Sequence, residues 1–171
     1  MKVALNITTE RLKLRPIAAE DFPHWRDFYA TDHSRFVGGP KDEEAAWRKM
    51  TEFLGHWPLA GFGYYSIETH GGDYVGRVGL DQAIGWPEPE LGWALLPAAV
   101  GNGYATEAAT AVLADTWSAL RPANVVSFIA AGNVASERVA ERLGASREAP
   151  PRYACPFEGH DIFLHQTPVA A

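Results

Sequence analysis

One cysteine, Cys155, stands in a chain of 171 residues. Alone, it cannot close an internal disulfide, and a zinc site built from cysteines is excluded. Long apolar runs are missing too, and no window approaches eighteen consecutive apolar residues, so nothing reads as a membrane span. The opening Met1-Lys2-Val3-Ala4-Leu5-Asn6 has no long apolar stretch followed by a cleavage signal, and a soluble, cytoplasmic protein is the expectation. Positive charge is in deficit, with 15 Lys and Arg against 21 Asp and Glu, for a formal net charge of −6. That balance argues against a nucleic-acid partner and mildly favours cationic ones.

What is present is ordinary for a globular chain: 47% apolar and 21% charged residues, with six tryptophans. The length fits one domain over residues 1–171. Leu12 and Leu14 alternate with charge before Pro16, the mark of a half-buried strand. Phe22, Trp25, Phe28 and Tyr29 then share one helical stripe. The breakers Val37-Gly38-Gly39-Pro40 form a loop, either a lid or a connector, before a helix that starts at Asp42 and closes at Gly55 and Pro58. A hairpin follows, Gly63–Glu68 and Tyr74–Leu80 about the turn 70–73. After it come a strand at Glu90–Leu96, a helix at Tyr104–Leu120, a strand at Asn124–Ala130 and a helix capped by Asn133 and ended by Gly144. His160–His165 is the last strand, free to pair with a second copy if it lies at an edge. The order describes a mixed α/β sheet rather than a repeating βαβ array.

The stretch from Glu90 to Glu107 organises the rest. A short apolar strand turns through Gly101-Asn102-Gly103 into a helix, which lines up unpaired N–H groups at the positive end of a dipole. An anion, most simply a phosphate, suits such a place. Thr106 stands where a dinucleotide loop needs its third glycine, and no Gly-Lys-Ser/Thr exists for a nucleotide P-loop.

The surrounding residues resemble the GNAT acetyltransferase superfamily, and within it the RimJ/RimL-type N-acetyltransferases. The resemblance runs through Thr9-Glu10-Arg11-Leu12, Leu14-Arg15-Pro16, Asp21, Gly61–Tyr64, Gly76–Leu80 and Glu90–Trp93. It is most specific at Gly101–Ala108 and at Asn133–Ala145. It implies a central, mostly antiparallel sheet with helices on both faces and a splayed strand pair, Trp93–Leu96 against Val125–Ala130. Acetyl-CoA would be the co-substrate, with no metal. Its pantetheine arm would lie along Trp93, Ala94, Leu95 and Leu96, and its pyrophosphate on the N–H groups of Gly101, Asn102, Gly103, Tyr104 and Ala105, with Thr106, Asn133 and Ser136 completing the site. Two positions depart from the family pattern: Ala98 replaces a Gln or Arg, and Asn102 a frequent Lys or Arg. Phosphate binding then rests on backbone donors and the dipole, a modest contribution of roughly 0.3–1 kcal/mol for the dipole. Arg138 and Arg142, one turn apart, either face the phosphates or are solvated helix charges.

Acetyl transfer needs a neutral amine, and so a base. Glu90, which opens the strand that would carry the thioester, is the first candidate; the alternative is a structural edge carboxylate. Glu88, Tyr104, His160 and Asp161 are weaker rivals. Backbone groups around Ala94 to Leu96 would steady the charged acyl oxygen. The tyrosine that many superfamily members use as proton donor would fall at Ala140 and is absent. The RimJ/RimL pattern instead places a serine at Ser136, which either protonates the leaving thiolate or serves the helix start. Cys155 reads as inert, so direct transfer in a ternary complex is expected. The acceptor is a small-molecule or peptide amine, with Phe22, Trp25, Tyr29, Trp47 and Trp57 either lining its pocket or packing the core, in a monomer or homodimer. A non-catalytic CoA-sensing or protein-binding module on the same fold is the alternative.

Overall fold

The computed structural model describes residues 3–86 and 88–167. Eight strands form one sheet: β1 (Ile7–Thr8), β2 (Leu12–Pro16), β3 (Tyr64–Thr69), β4 (Tyr74–Asp81), β5 (Glu90–Leu95), β6 (Val125–Ala130), β7 (Ser146–Arg147) and β8 (His160–His165). Their spatial order is β1-β2-β3-β4-β5-β6-β8-β7. Every neighbouring pair is antiparallel except β5 and β6. Four α-helices cover it: α1 (Phe22–Tyr29), α2 (Glu43–Ala60), α3 (Tyr104–Ala119) and α4 (Val134–Arg142). This is the mixed α/β sheet expected from the element order.

Apolar residues explain the layers. Trp25, Phe28 and Tyr29 of α1 and Ala46, Met50 and Phe53 of α2 pack with Tyr64 and Ala94 on one face of the sheet. Ala108, Ala109, Val112 and Leu113 of α3 pack with Leu12, Leu14, Val78 and Leu91 on the other. The helical stripe through Trp25 and Phe28 is therefore core. Arg15 fixes the α1 entry: it grips Asp21 with both Nη atoms at 2.9 and 2.6 Å, while Ser66 Oγ donates to Asp21 at 2.6 Å.

Two expectations need correction. Helix α2 runs through Gly55 and Pro58 to Ala60, because its last turn is tied from outside: Trp57 Nε1 donates to Tyr64 O at 2.8 Å and His56 Nδ1 to Phe62 O at 2.9 Å. The stop comes at Gly61, whose φ of 79° suits the left-handed cap. The last strand, β8, is not an edge; β7 pairs with it at Ser146↔Leu164 and Arg147↔Phe163. The turn after α1 is a 3-10 helix over Asp32–Val37, which brings Phe36 and Val37 to the site described below. Among the described residues no helix is long and apolar enough to cross a membrane.

Candidate active site

The parallel pair β5–β6 is joined at a single register position, Glu90↔Val126, with Val126 N–H donating to Pro89 O at 3.0 Å. Beyond it the strands part. Ser127, 2% exposed, closes the apex: its Oγ donates to Leu91 O at 2.6 Å and accepts from His165 Nε2 at 2.9 Å. A hydroxyl has one hydrogen, so the histidine must supply the other, and burial pushes the His165 pKa down to about 4, keeping it neutral. On the other side β5 pairs with β4, and Leu96 N–H bonds Val75 O at 2.9 Å. By antiparallel alternation Ala94 and Gly92 also turn their backbone groups to β4, and Leu91, Trp93 and Leu95 turn theirs to the gap. The Leu95 carbonyl there accepts from His33 Nε2 at 3.0 Å.

Two cavities meet at this gap. The larger, about 1070 Å³, runs from Trp93 and Leu95 to the start of α3 and the exposed side of α4. The smaller, about 530 Å³, lies over Glu90 and Gly92 and is walled by Phe53, Tyr64, Trp86, Phe128 and Phe157. Phe36, Val37, Trp93, Asn133 and Ser136 border both. Gly92 is needed at the floor: a Cβ there would sit 2.0 Å from the Tyr64 hydroxyl.

Glu90 lines the smaller cavity, partly buried. Burial, and then the nearby Asp81 charge, push its pKa up to about 8, against the opposing pull of the Phe128 N–H and Lys49. A carboxyl of that pKa is poised to exchange a proton near neutral pH. Of its rivals, Glu88 accepts from Asn124 Nδ2 at 2.9 Å, Asp161 pairs with Arg147 at 2.7 Å, and Tyr104 lies under the Arg11 guanidinium, 4.9 Å from ring centre. Only His160 among them reaches the cavity, with Nδ1 donating to Glu158 O at 2.9 Å.

The larger cavity ends on the glycine loop. Gly101 and Gly103 have φ of 89° and 79°, a left-handed backbone that a Cβ would strain. This turns the N–H groups from Gly101 to Thr106 outward, and among the described residues none of them finds a protein acceptor. The loop is braced from the turn between β1 and β2: Arg11 Nη1 donates to Asn102 O at 2.9 Å, and Arg11 Nε and Thr9 Oγ1 each donate to Glu107 at 2.6 Å. Burial alone would raise the Glu107 carboxyl, but these donors hold it below the usual range. Arg138 and Arg142 line the same cavity as Arg35, so α4 turns its two arginines toward the loop.

Among the residues expected to hold the donor, Trp93, Ala94, Leu95, Gly101, Asn102, Gly103, Ala105, Thr106, Asn133 and Ser136 all border the larger cavity. Leu96 does not, packing instead with the α1–α2 cluster, and neither does Tyr104. Asn133 Oδ1 accepts from Ser136 N–H at 3.3 Å, so the backbone of Ser136 serves the helix start and its hydroxyl is left for the cavities. Ala140 is fully buried against Ile129 and Phe163, facing away from both cavities. Leu96 N–H is held by Val75 O and Ala94 faces β4, so the expected donors to an acyl oxygen narrow to Leu95, with Trp93 added. Of the aromatics proposed for the acceptor pocket only Tyr29 lines it; Trp25 is core and Phe22 packs edge-on against Trp47 at 4.9 Å. Cys155 borders neither cavity, and burial raises its thiol pKa.

A sheet opened between two parallel strands thus leads from an anion-ready helix start at one end to a cavity over a buried carboxyl at the other. Residues 11–146 match the acetyltransferase (GNAT) domain family, and the chain belongs to it. It is similar to an acetyltransferase from Agrobacterium tumefaciens str. C58, with 34% identity, coverage of 95% of this chain and 94% of that one, and a TM-score of 0.89. The same fold is shared with RimL, a ribosomal L7/L12 α-N-protein acetyltransferase solved with coenzyme A, at 15% identity, 94% and 96% coverage and a TM-score of 0.74. It is shared as well with a Vibrio cholerae spermidine N-acetyltransferase solved with CoA and spermine, at 14% identity, 91% and 94% coverage and a TM-score of 0.71.

Proposed function

We propose that this protein is an acetyl-CoA-dependent N-acetyltransferase that moves the acetyl group directly to a primary amine. The observation that carries the reading is the meeting of the two cavities at Trp93 and Ser136, with Glu90 on one side and the free N–H groups of the glycine loop on the other. The residues fit the donor: the Gly101–Thr106 N–H groups, with Arg138 and Arg142, hold the phosphates, and the gap-facing backbone of Trp93 and Leu95 holds the pantetheine arm as a neighbouring strand would. Relatives solved with CoA support the same assignment.

The acceptor enters as an ammonium over Glu90. A lysine-like amine has a pKa near ~10.4 and an α-amine near ~7.7–8.0, so ionised Glu90, held up to about 8, takes the proton of an α-ammonium at little cost in free energy and that of a lysine-like ammonium at a cost of about 3 kcal/mol. The freed amine attacks the thioester carbonyl, and the N–H groups of Trp93 and Leu95 oppose the charge that grows on its oxygen. As the C–S bond breaks, Ser136 donates its proton to the departing thiolate and regains one from the nitrogen of the new C–N bond, so that a neutral amide and the CoA thiol are left. The single thiol, Cys155, stands outside both cavities, so no acetyl-enzyme is needed.

The test is thiol release from acetyl-CoA across peptides, polyamines, amino acids and aminoglycosides. Acceptor-dependent release with an acetylated amine as product supports the reading. Tight CoA binding without turnover on any acceptor replaces it with the CoA-sensing module, and failure to bind CoA defeats both.

A further inference from the structure

Arg77 is the one lysine or arginine that is buried among the described residues, 5% exposed. Its guanidinium lies over the rings of Trp25, Phe28 and Tyr29 at 4.2, 4.8 and 5.2 Å, and its Nη2 donates to the Tyr29 hydroxyl at 2.9 Å. No carboxylate pairs with it among the described residues, although it has five hydrogens to give. Rings and one neutral hydroxyl orient a guanidinium without cancelling its charge, and a buried charge with no counter-ion is costly. A ligand group that supplies the missing negative charge would remove that cost.

The position says which ligand. Arg77 lines the smaller cavity, where the proposed amine acceptor sits. In register it lies beside Ala94; the next row on that face is Gly79 beside Gly92, and the row after is Asp81 beside Glu90. The middle row carries no side chain of its own, and the Tyr64 hydroxyl fills the space above Gly92. The floor therefore has an unpaired cation at one end and two carboxyls at the other, four residues or about 13 Å apart along the strand. Lys41 adds a second positive group at the Arg77 end, its Nζ 5.8 Å from the Tyr29 ring. Lys49, at the other end, is already paired with Glu52 at 2.9 Å.

We propose that the acceptor is an amine that also carries an acid group, held with its amine at Glu90 and its carboxylate in the Arg77 fork. The inference rests on the N-acetyltransferase reading above and names its substrate class. A guanidinium takes a carboxylate with two parallel hydrogen bonds, a match a lysine cannot reproduce. Because the charged ends of the floor are two rows apart, the ligand's amine and acid are separated by several bonds, as in a dipeptide or an ω-amino acid. A cavity of about 530 Å³ suits a molecule of that size.

Matched acceptors that differ only in the acid group test this: alanyl-alanine against its C-terminal amide, and lysine against cadaverine, each followed by thiol release with kcat and KM separated. The wild-type chain is expected to favour the acid member by about ten- to a hundred-fold in kcat/KM, mostly through KM. Arg77→Met, which keeps apolar contact with the three rings, is expected to bring that ratio close to one, with Arg77→Lys between. Equal use of both members by the wild type overturns the inference, as does an Arg77→Met variant that loses activity on both alike with the ratio intact. If the variant does not fold, the wild-type ratio alone decides. Turnover of amines without acid preference defeats this inference and leaves the N-acetyltransferase standing; no turnover on any amine defeats both.

Discussion

Replacing Glu90 by glutamine should move activity and stability in opposite directions. The carboxyl is held up to about 8 against its ordinary 4.5, chiefly by burial and secondly by Asp81. Between those two pH values the folded chain keeps a proton that the unfolded chain has released, so stability falls as pH rises through the window. At ~1.4 kcal/mol per pH unit the loss reaches about 4–5 kcal/mol above pH 8, the upper limit for one site. Glutamine keeps the shape and never ionises. Glu90→Gln should therefore match the wild type near pH 5 and exceed it increasingly toward pH 9. For a chain of this size the melting temperature rises by roughly 2–4 °C per kcal/mol. The same variant should lose on the order of 100-fold or more in kcat near pH 8, along with the rise in rate that the wild type shows through that pH. Melting curves and pH–rate profiles of both proteins make the comparison. A melting difference that does not grow with pH refutes the burial argument; an unchanged pH–rate profile refutes Glu90 as the base.

Other outcomes follow from the same geometry. Ser136→Ala should lower kcat by roughly 10-fold while stability changes by less than about 0.5 kcal/mol, because the Asn133 cap uses the Ser136 backbone; calorimetry beside steady-state kinetics checks both. Arg138→Ala with Arg142→Ala should weaken CoA binding by about 5–30-fold and flatten its salt dependence, measured by titration calorimetry at two ionic strengths. Glu107→Ala releases both Thr9 and Arg11, so amide exchange at 101–106 should speed up and CoA affinity should fall. Cys155→Ala should leave sequential kinetics in place; a ping-pong pattern that the substitution abolishes would contradict direct transfer.

Part of the candidate site was legible because its features are local. The anion-ready helix start at Gly101–Gly103 and the Asn133 cap each sit in a short window that spacing shows, whereas the donor that would lie there and the place of Glu90 came from the resemblance. The wall of the smaller cavity is different. Phe36, Trp86, Phe128 and Phe157 come from four separate segments and meet only once the sheet is assembled. The aromatics that share a helical stripe, Phe22 and Trp25 among them, suit either a pocket or a core by sequence, and they are spent on packing α1. Arg11 lies within a resembling segment, and nothing in that segment tells that it braces a loop 91 positions along the chain. Ser127 and Arg77 gave no sign at all, since a serine or arginine inside an apolar strand reads alike whether it faces a gap, a cavity or a neighbour. Helix α2 overran its glycine and proline for the same reason: bonds from His56 and Trp57 to residues beyond the helix outweigh a local breaker. The two-residue strands β1 and β7 are too short to show any period.

The central claim is direct acetyl transfer to an amine in the smaller cavity. Its most direct test is mass analysis of an amine acceptor incubated with acetyl-CoA and either wild-type protein or Glu90→Gln. The account predicts a singly N-acetylated product that matches the thiol released, falling by about 100-fold in the variant near pH 8. Wild-type and variant proteins that form the product at the same rate, or CoA binding with no acetylated amine from any acceptor, would contradict it.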